Sequence, residues 1–325
     1  MNKSGKNIPL VSVCCITYNH ESYIERALKG MLSQKTTFPI EILIHDDAST
    51  DNTANIVKKY AAGNPTMIFP VFQKKNQYSQ GVPIDIHFNI PRSRGKYLAL
   101  CEGDDYWSDP SKLQAQIDFL ERNPSLAMCT HEAIYEKDVG DTQDTLRSRV
   151  GILKRYYDLF GLTEALRVLI IALTTSRSLV SWDLTHRSAR RSKNESSYNL
   201  IDFQDGATHM SYCSMVLRKN ILKGFCEAFY ITPRGSHQLF QLVGALTGGI
   251  GHLHKVLAVK TNQASSVTQD KVRQAENRRL SSSADTNEKI KRYRYLRNKC
   301  SDSDRRIFDS MIDNELKRIH FSAQR

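Results

Sequence analysis

Two rhythms of apolar and polar positions alternate along roughly the first 135 residues. Leu10-Val11-Ser12-Val13-Cys14-Cys15-Ile16 is a nearly continuous apolar run, the pattern of a central parallel strand buried on both faces. Thr17-Tyr18-Asn19-His20 breaks it. Ile24, Ala27, Leu28, Met31 and Leu32 then fall at helical spacing, which predicts an amphipathic helix. A second strand is predicted over residues 40–45. After it, Ser49 or Thr50 supplies an N-cap, and Ile56, Val57, Tyr60 and Ala61 share one helical face. Gly63-Asn64-Pro65 stops that helix. Further strands are predicted over 67–72, 96–101 and 126–131. Between the last two, Asp109-Pro110 reads as an N-cap with a first-turn proline. Leu113, Ile117 and Leu120 are the buried stripe of that helix, and Asn123-Pro124 ends it.

Strands alternating with helices predict an α/β fold, a mostly parallel sheet flanked by helices. Ligands bind such sheets at the carboxyl ends of the strands. Two acidic pairs fall at such ends, Asp46-Asp47 and Asp104-Asp105. Buried carboxylates need a partner, and a divalent cation on a diphosphate is one. Taken alone, Asp104-Asp105 would equally suit a turn that caps a helix.

Beyond residue 136 the rhythm weakens. Residues 136–148 are polar and loop-like, 151–180 look helical, and 183–199 are basic and serine-rich. Residues 236–247 predict a helix with Leu239, Phe240, Val243 and Leu246 as its stripe, and 256–259 a strand. From residue 272 the chain is charged and helical in character. There is no internal repeat. His252 and His254 would share one face of a strand. That makes a metal pair conceivable, with exposed strand histidines the commoner reading.

Composition adds limits. The 325 residues are 40% hydrophobic and 25% charged, ordinary for a globular chain. No apolar run approaches the roughly 18 residues that span a bilayer, and the first nine residues hold no apolar signal region. This predicts a cytoplasmic protein, soluble or peripheral at the inner face of the membrane. Seven cysteines without a CxxC spacing read as buried reduced thiols rather than a zinc site. The net charge of +12 concentrates in Arg187-Ser188-Ala189-Arg190-Arg191-Ser192-Lys193 and in residues 289–299. Such a surface attracts anions. With no RNA-binding motif present, an anionic membrane or an acidic acceptor ranks above nucleic acid.

A series of motifs then narrows the reading. It comprises Val11-Ser12-Val13 with Thr17-Tyr18-Asn19, Gln34-Lys35-Thr36, and the run from Glu41 through Asp46-Asp47-Ala48-Ser49 to Thr53. It continues with Asn76-Gln77-Tyr78-Ser79-Gln80-Gly81, Arg94-Gly95-Lys96-Tyr97, Glu102-Gly103-Asp104-Asp105-Tyr106-Trp107 and Ser108-Asp109-Pro110. In this order the series resembles the family 2 glycosyltransferases, which have the GT-A nucleotide-sugar-binding fold. The resemblance implies a GT-A core over residues 8–135. It also implies an acceptor-binding part of the same domain over 136–270, followed by a basic helical tail over 271–325. Thr17, Tyr18 and Asn19 would line the nucleotide pocket, Asp46 or Asp47 would face the base and ribose, and Arg94 would approach the nucleotide. Asp104 and Asp105 would hold Mn²⁺ or Mg²⁺ against the diphosphate.

The implied activity is metal-dependent and inverting. A sugar would pass from a nucleoside-diphosphate donor, a UDP-sugar first, to a glycan or lipid-linked acceptor, as in surface polysaccharide synthesis. Such enzymes need a general base, commonly an acid opening a late helix. Here Ser236 stands in that place, so His237, Asp202 and Asp205 are the candidates. Lys260 follows the last strand, where relatives often carry an arginine-histidine segment, and would contact the diphosphate. The missing acid motivates the competing reading, a non-catalytic nucleotide-sugar-binding or scaffold protein. A nucleotidyltransferase is disfavoured because no glycine-rich phosphate loop occurs near the N-terminus.

Overall fold

A computed structural model defines the fold and describes residues 8–137, 166, 169–170, 178–180, 195–203, 210–232, 236–262 and 286–323. Asp205, the cluster from Arg187 to Lys193, and most of 136–148, 151–180 and 183–199 lie outside the described residues.

Strands β1 (Val11–Thr17), β2 (Ile40–Asp46), β3 (Ile68–Phe72) and β4 (Tyr97–Glu102) are parallel, in the order β3-β2-β1-β4. The sheet continues through three longer-range pairings. Strand β9 (Val216–Arg218) joins β4 to β6 (Met128–Lys137), antiparallel to both. Strand β10 (Ile250–Asn262) lies parallel to β6. Short strands β5 (Tyr106–Trp107), β7 (Ser178–Val180) and β8 (Glu195–Tyr198) pair antiparallel with β10, β6 and β10 respectively.

Alternation within β1 sends successive side chains to two separate cores. Val11, Val13 and Cys15 pack with Ile24 and Leu28 of α1 (Ile24–Leu32), Val57 of α2 (Thr53–Gly63) and Leu113, Ile117 and Leu120 of α4 (Lys112–Arg122). Cys14, with Leu98 and Leu100 of β4, faces the other side. There it meets the one-turn α3 (Ile90–Arg92), Phe229 of α5 (Cys226–Ile231) and Leu239, Phe240 and Val243 of α6 (Ser236–Thr247). Two further helices close this second core: α7 (residues 286–297) with Ile290, Tyr293 and Leu296, and α8 (Asp302–Ala323) with Phe308 and Met311. The described part of the charged tail, residues 286–323, is thus largely helical, and its apolar stripe packs into this second core.

Three expectations shift. Helix α2 begins at Thr53, because Ser49 and Thr50 bond the loop after β1 instead of capping a helix. Strand β10 starts six residues before the predicted strand, at Ile250 rather than 256. His252 and His254 are buried, at 2% and 8% exposure, not exposed on a strand face.

Candidate functional site

The loops after β1 and β2 are laced together. The Asn19 amide donates to Ser49 Oγ at 2.9 Å, and Asn19 Oδ1 accepts from the Thr50 amide at 2.8 Å. The His20 amide donates to Thr53 Oγ1 at 2.8 Å, and the Glu21 amide to Asp51 Oδ2 at 3.0 Å. Two residues take left-handed backbone here, Asn19 at φ 54° and Ala48 at φ 66°. This double loop floors a cleft of about 440 Å³ at the carboxyl edge of the sheet. Thr17, Tyr18 and His20 line one side, and Asp47, Asn76 and Tyr78 another. Asp85 and Glu102 also line it, and Ser236, His237 and Gln238 close the cleft from α6.

The four acidic residues divide by role. Asp47 Oδ1 and Oδ2 accept from the Gln77 and Tyr78 amides at 2.7 and 3.0 Å. Burial opposes its ionisation, but bonds from His45 and these amides outweigh it and hold the carboxyl below its usual range. Asp46 Oδ1 accepts from the Ser49 amide at 3.0 Å, while its other oxygen is buried without a hydrogen-bond partner. Only Asp47 of this pair lines the cleft.

Glu102, Asp104 and Asp105 converge: each offers an oxygen, and the three lie within 4.8 Å of one another. Asp105 is 1% exposed. Its Oδ1 accepts from the Thr261 amide of β10 at 2.9 Å, and its Oδ2 is buried with no hydrogen-bond partner. Burial, and then the negative charge of Asp104, pushes its carboxyl well above the usual range. An orphaned carboxylate oxygen among three acids fits a divalent cation of the hard, oxygen-preferring kind. Gly103 makes the turn possible: a Cβ there would lie 2.5 Å from Thr17 Oγ1.

Two basic groups face the cluster. His237 Nε2 lies 3.5 Å and Lys260 Nζ 3.7 Å from the carboxylate of Glu102. Burial would raise the Glu102 carboxyl, yet His237 and Lys260 outweigh it and hold it well below its usual range. The His237 ring stacks on Tyr212, with centroids 4.3 Å apart. The Tyr212 hydroxyl donates to Asp85, whose buried carboxyl is pushed up by desolvation.

Of the predicted site residues, Thr17, Tyr18, Asp47 and His237 meet in the cleft, with Asp104 and Asp105 in the acidic cluster beside it. Asn19 ties the two loops and is not in the lining. Arg94 is elsewhere: its Nε donates to Glu41 Oε2 at 2.7 Å, near the amino end of β2, so it does not approach the cleft. Asp202 Oδ2 accepts from the Asn199 amide at 2.7 Å within its own turn and does not line the cleft. Sequence reasoning gave no role to Glu102, His20 or Asp85. Glu102 had a visible signal, an acid one residue short of Gly103-Asp104. Asp85 had a weaker one, a carboxylate between Ile84 and Ile86.

The fold and motifs have known counterparts. The Staphylococcus aureus TarS fragment 1–349, solved in complex with UDP-GlcNAc, superposes with a TM-score of 0.51 at 18% identity, over 78% of this chain and 58% of that one. The mannosyltransferase PcManGT of Pyrobaculum calidifontis, solved with GDP-Man and Mn²⁺, gives 0.51 at 13% identity, over 98% and 74%. An uncharacterized Mycobacterium tuberculosis protein is 43% identical over 139 residues, 41% of this chain and 38% of its own length. The Escherichia coli UDP-Glc:alpha-D-GlcNAc-diphosphoundecaprenol beta-1,3-glucosyltransferase WfaP is 35% identical over 112 residues, 34% of this chain and 41% of its own. The chain therefore spans less than half the length of these two relatives. The profile of the family described as Glycosyl transferase family 2 matches residues 12–223, about two thirds of the chain, and the protein belongs to that family.

Proposed function

We propose that the protein is a metal-dependent, inverting glycosyltransferase that takes a sugar from a nucleoside-diphosphate donor, a UDP-sugar first, to a glycan or lipid-linked acceptor. The observation that carries this is the convergence of Glu102, Asp104 and Asp105 beside a cleft of about 440 Å³ at the carboxyl edge of the sheet. The cleft has the volume of a small-molecule site. UDP-GlcNAc and GDP-Man in two proteins of the same fold agree with a nucleotide-sugar donor.

Asp104 and Asp105, with Glu102 next to them, would hold Mn²⁺ or Mg²⁺. When bound, that ion neutralises the charge developing on the departing diphosphate. Asp47 orders the Gln77–Tyr78 turn that forms the nucleotide side of the cleft, and Thr17 and Tyr18 face the donor. His237 is the base that takes the acceptor proton, on Nδ1, because Nε2 faces the Glu102 carboxylate and carries the hydrogen directed at it. Glu102 then stabilises the imidazolium that forms, as a carboxylate does beside any histidine base. Lys260 adds positive charge near the diphosphate.

One observation favours the second reading, a binding protein without turnover. His237 already faces a carboxylate, and Ser236 replaces the acid expected in front of it. Calorimetry with a panel of nucleoside-diphosphate sugars, with and without Mn²⁺, tests the donor site. Metal-dependent binding is expected for the wild type and its loss for Asp104→Ala/Asp105→Ala. Binding of no donor under any metal condition would overturn the proposal. With the donor named, acceptor screening follows. Donor binding with turnover that survives His237→Gln would remove His237 from the mechanism.

A further inference from the structure

A second cluster of metal-ligating side chains lies at the other end of β10. His252 Nε2 is 3.1 Å from Glu132 Oε1, and His254 Nδ1 is 3.4 Å from the same oxygen. The three ligand atoms all lie within 4.8 Å of one another, and all three residues are buried. The cluster is remote from the acidic site. His254 is six residues before Lys260, about 20 Å along an extended strand.

The pairing of β10 with β6 shifts register between Leu253 and Val256, so that Val256 rather than the next residue stands opposite Glu132. Bulges re-aim side chains. His252 stands opposite Thr130, so alternation turns His252 and Glu132 to one face, and the register change falls beside His254.

We infer that Glu132, His252 and His254 form a binding site for a zinc-class divalent cation, distinct in place and in chemistry from the donor-site metal. Three arguments carry it. The first is geometric. A tetrahedral centre with bonds of about 2.0–2.1 Å has ligand–ligand edges of about 3.3–3.4 Å. The two distances to Glu132 Oε1, 3.1 and 3.4 Å, bracket that edge. The second is the support behind the ligand. Metal-bound histidines commonly engage the other ring nitrogen with an oxygen that fixes the ring. His252 Nδ1 lies 2.8 Å from Thr130 Oγ1 and so has such a partner. The third is selectivity. Two imidazoles and one carboxylate suit Zn²⁺ or Co²⁺, whereas the all-carboxylate cluster at Asp104 suits Mg²⁺ or Mn²⁺. The site joins β6 to β10 at their irregular point. Its role is to fix the strand that, further along, delivers the Thr261 amide to Asp105.

The test uses the full chain, stripped with a chelator and then titrated with Co²⁺ and Zn²⁺. Co²⁺ is expected to give the visible ligand-field bands of four-coordinate cobalt, saturating at about one equivalent. Zn²⁺ is expected to raise the thermal midpoint by several degrees, as a ligand of the native state does. Both responses should persist in Asp104→Asn/Asp105→Asn, which removes the competing site. Both should be lost in His252→Gln and in Glu132→Gln, with far-UV circular dichroism reporting whether each variant is folded. Wild-type chain that gives no cobalt bands and no zinc-dependent shift overturns the inference, and hydrogen bonds alone then hold the cluster. Responses that vanish in the Asp104→Asn/Asp105→Asn variant also overturn it, because the ion is then at the donor site.

Discussion

Ala48 sits at φ 66° between Asp47, which lines the cleft, and Ser49, which ties the loop after β1 to the loop after β2. A side chain with a Cβ pays roughly 1–2 kcal/mol for left-handed backbone, whereas glycine pays about 0.5–1 kcal/mol in chain entropy. Ala48→Gly is therefore expected to stabilise the fold by about 0.5–1 kcal/mol. The check is a urea midpoint that rises with unchanged m-value. Lys112 gives a prediction of opposite origin. Its Nζ is fully buried, 4.1 Å from the centre of the Trp107 ring and 2.7 Å from Gln116 Oε1. Burial pushes its ammonium down to about 8 from 10.5. The unfolded chain thus binds more protons than the native one between those two values. This residue destabilises the fold below pH 8, and the cost disappears as pH rises toward 10.5. The full shift corresponds to about 3 kcal/mol, from which loss of the Gln116 bond subtracts about 1 kcal/mol on substitution. Lys112→Met should raise stability by about 1–2 kcal/mol at pH 7, with the gain over wild type shrinking from pH 8 upward. Comparing the two proteins at each pH cancels the buried thiols, which both retain. A gain that does not change with pH would refute the assignment to charge burial.

At the scale of elements, legibility follows the strength of the periodic signal. Strands β1 to β4 and helices α1 and α4 are readable because their apolar positions run unbroken or at helical spacing, and the structure sets each within a residue or two of its predicted ends. The first half of β10 is not readable. His252 and His254 dilute its apolar pattern, and only the pairing with β6 and β8 buries them. Asp85 escapes for a related reason: its turn is a wide helical one with no periodic stripe, and its burial comes from Tyr212, far away in sequence. The docking of α7 is a third case. Ile290, Tyr293 and Leu296 lie in a stretch whose composition is dominated by Lys and Arg, so the stripe is hidden by charge. One basic side chain of that stretch is in fact internal. Arg292 is 2% exposed and donates to Thr232 Oγ1 at 3.1 Å and Gln238 Oε1 at 2.6 Å. It thus braces the first turn of α6, next to His237. Arg292→Ala should lower the thermal midpoint and reduce turnover roughly tenfold or more through misplacement of the base. Donor affinity should change little, since the bonds of Arg292 to Thr232 and Gln238 lie on the α6 side of the cleft. Turnover equal to wild type in a protein of lowered midpoint would leave Arg292 a purely structural role.

The whole molecule carries its charge unevenly, and that bears on where it works. Among the described residues no helix is long and apolar enough to cross a membrane. For the lipid-linked acceptor proposed above, a basic surface would draw the protein toward an anionic bilayer. Helix α7 and the turn after it turn Ile290, Tyr293 and Leu296 inward and leave Lys291, Arg294 and Lys299 exposed. Each basic residue near an anionic bilayer contributes about 1 kcal/mol of attraction, and the sum falls as salt rises. Deleting the tail is a poor test of this surface. Removing α7 and α8 would strip Phe308, Met311 and the α7 stripe from one of the two cores, and the remainder would lose membrane binding by unfolding. Charge reversal separates the two effects. Lys291→Glu/Arg294→Glu/Lys299→Glu changes only exposed side chains, so the thermal midpoint should hold within a few degrees. Sedimentation with vesicles rich in anionic lipid should fall at least tenfold at low salt, and wild-type binding should weaken as salt is raised. Turnover on a water-soluble acceptor should be untouched. If the reversed protein sediments like wild type, the basic face of α7 is solvated surface, and the acceptor reaches the cleft by another route.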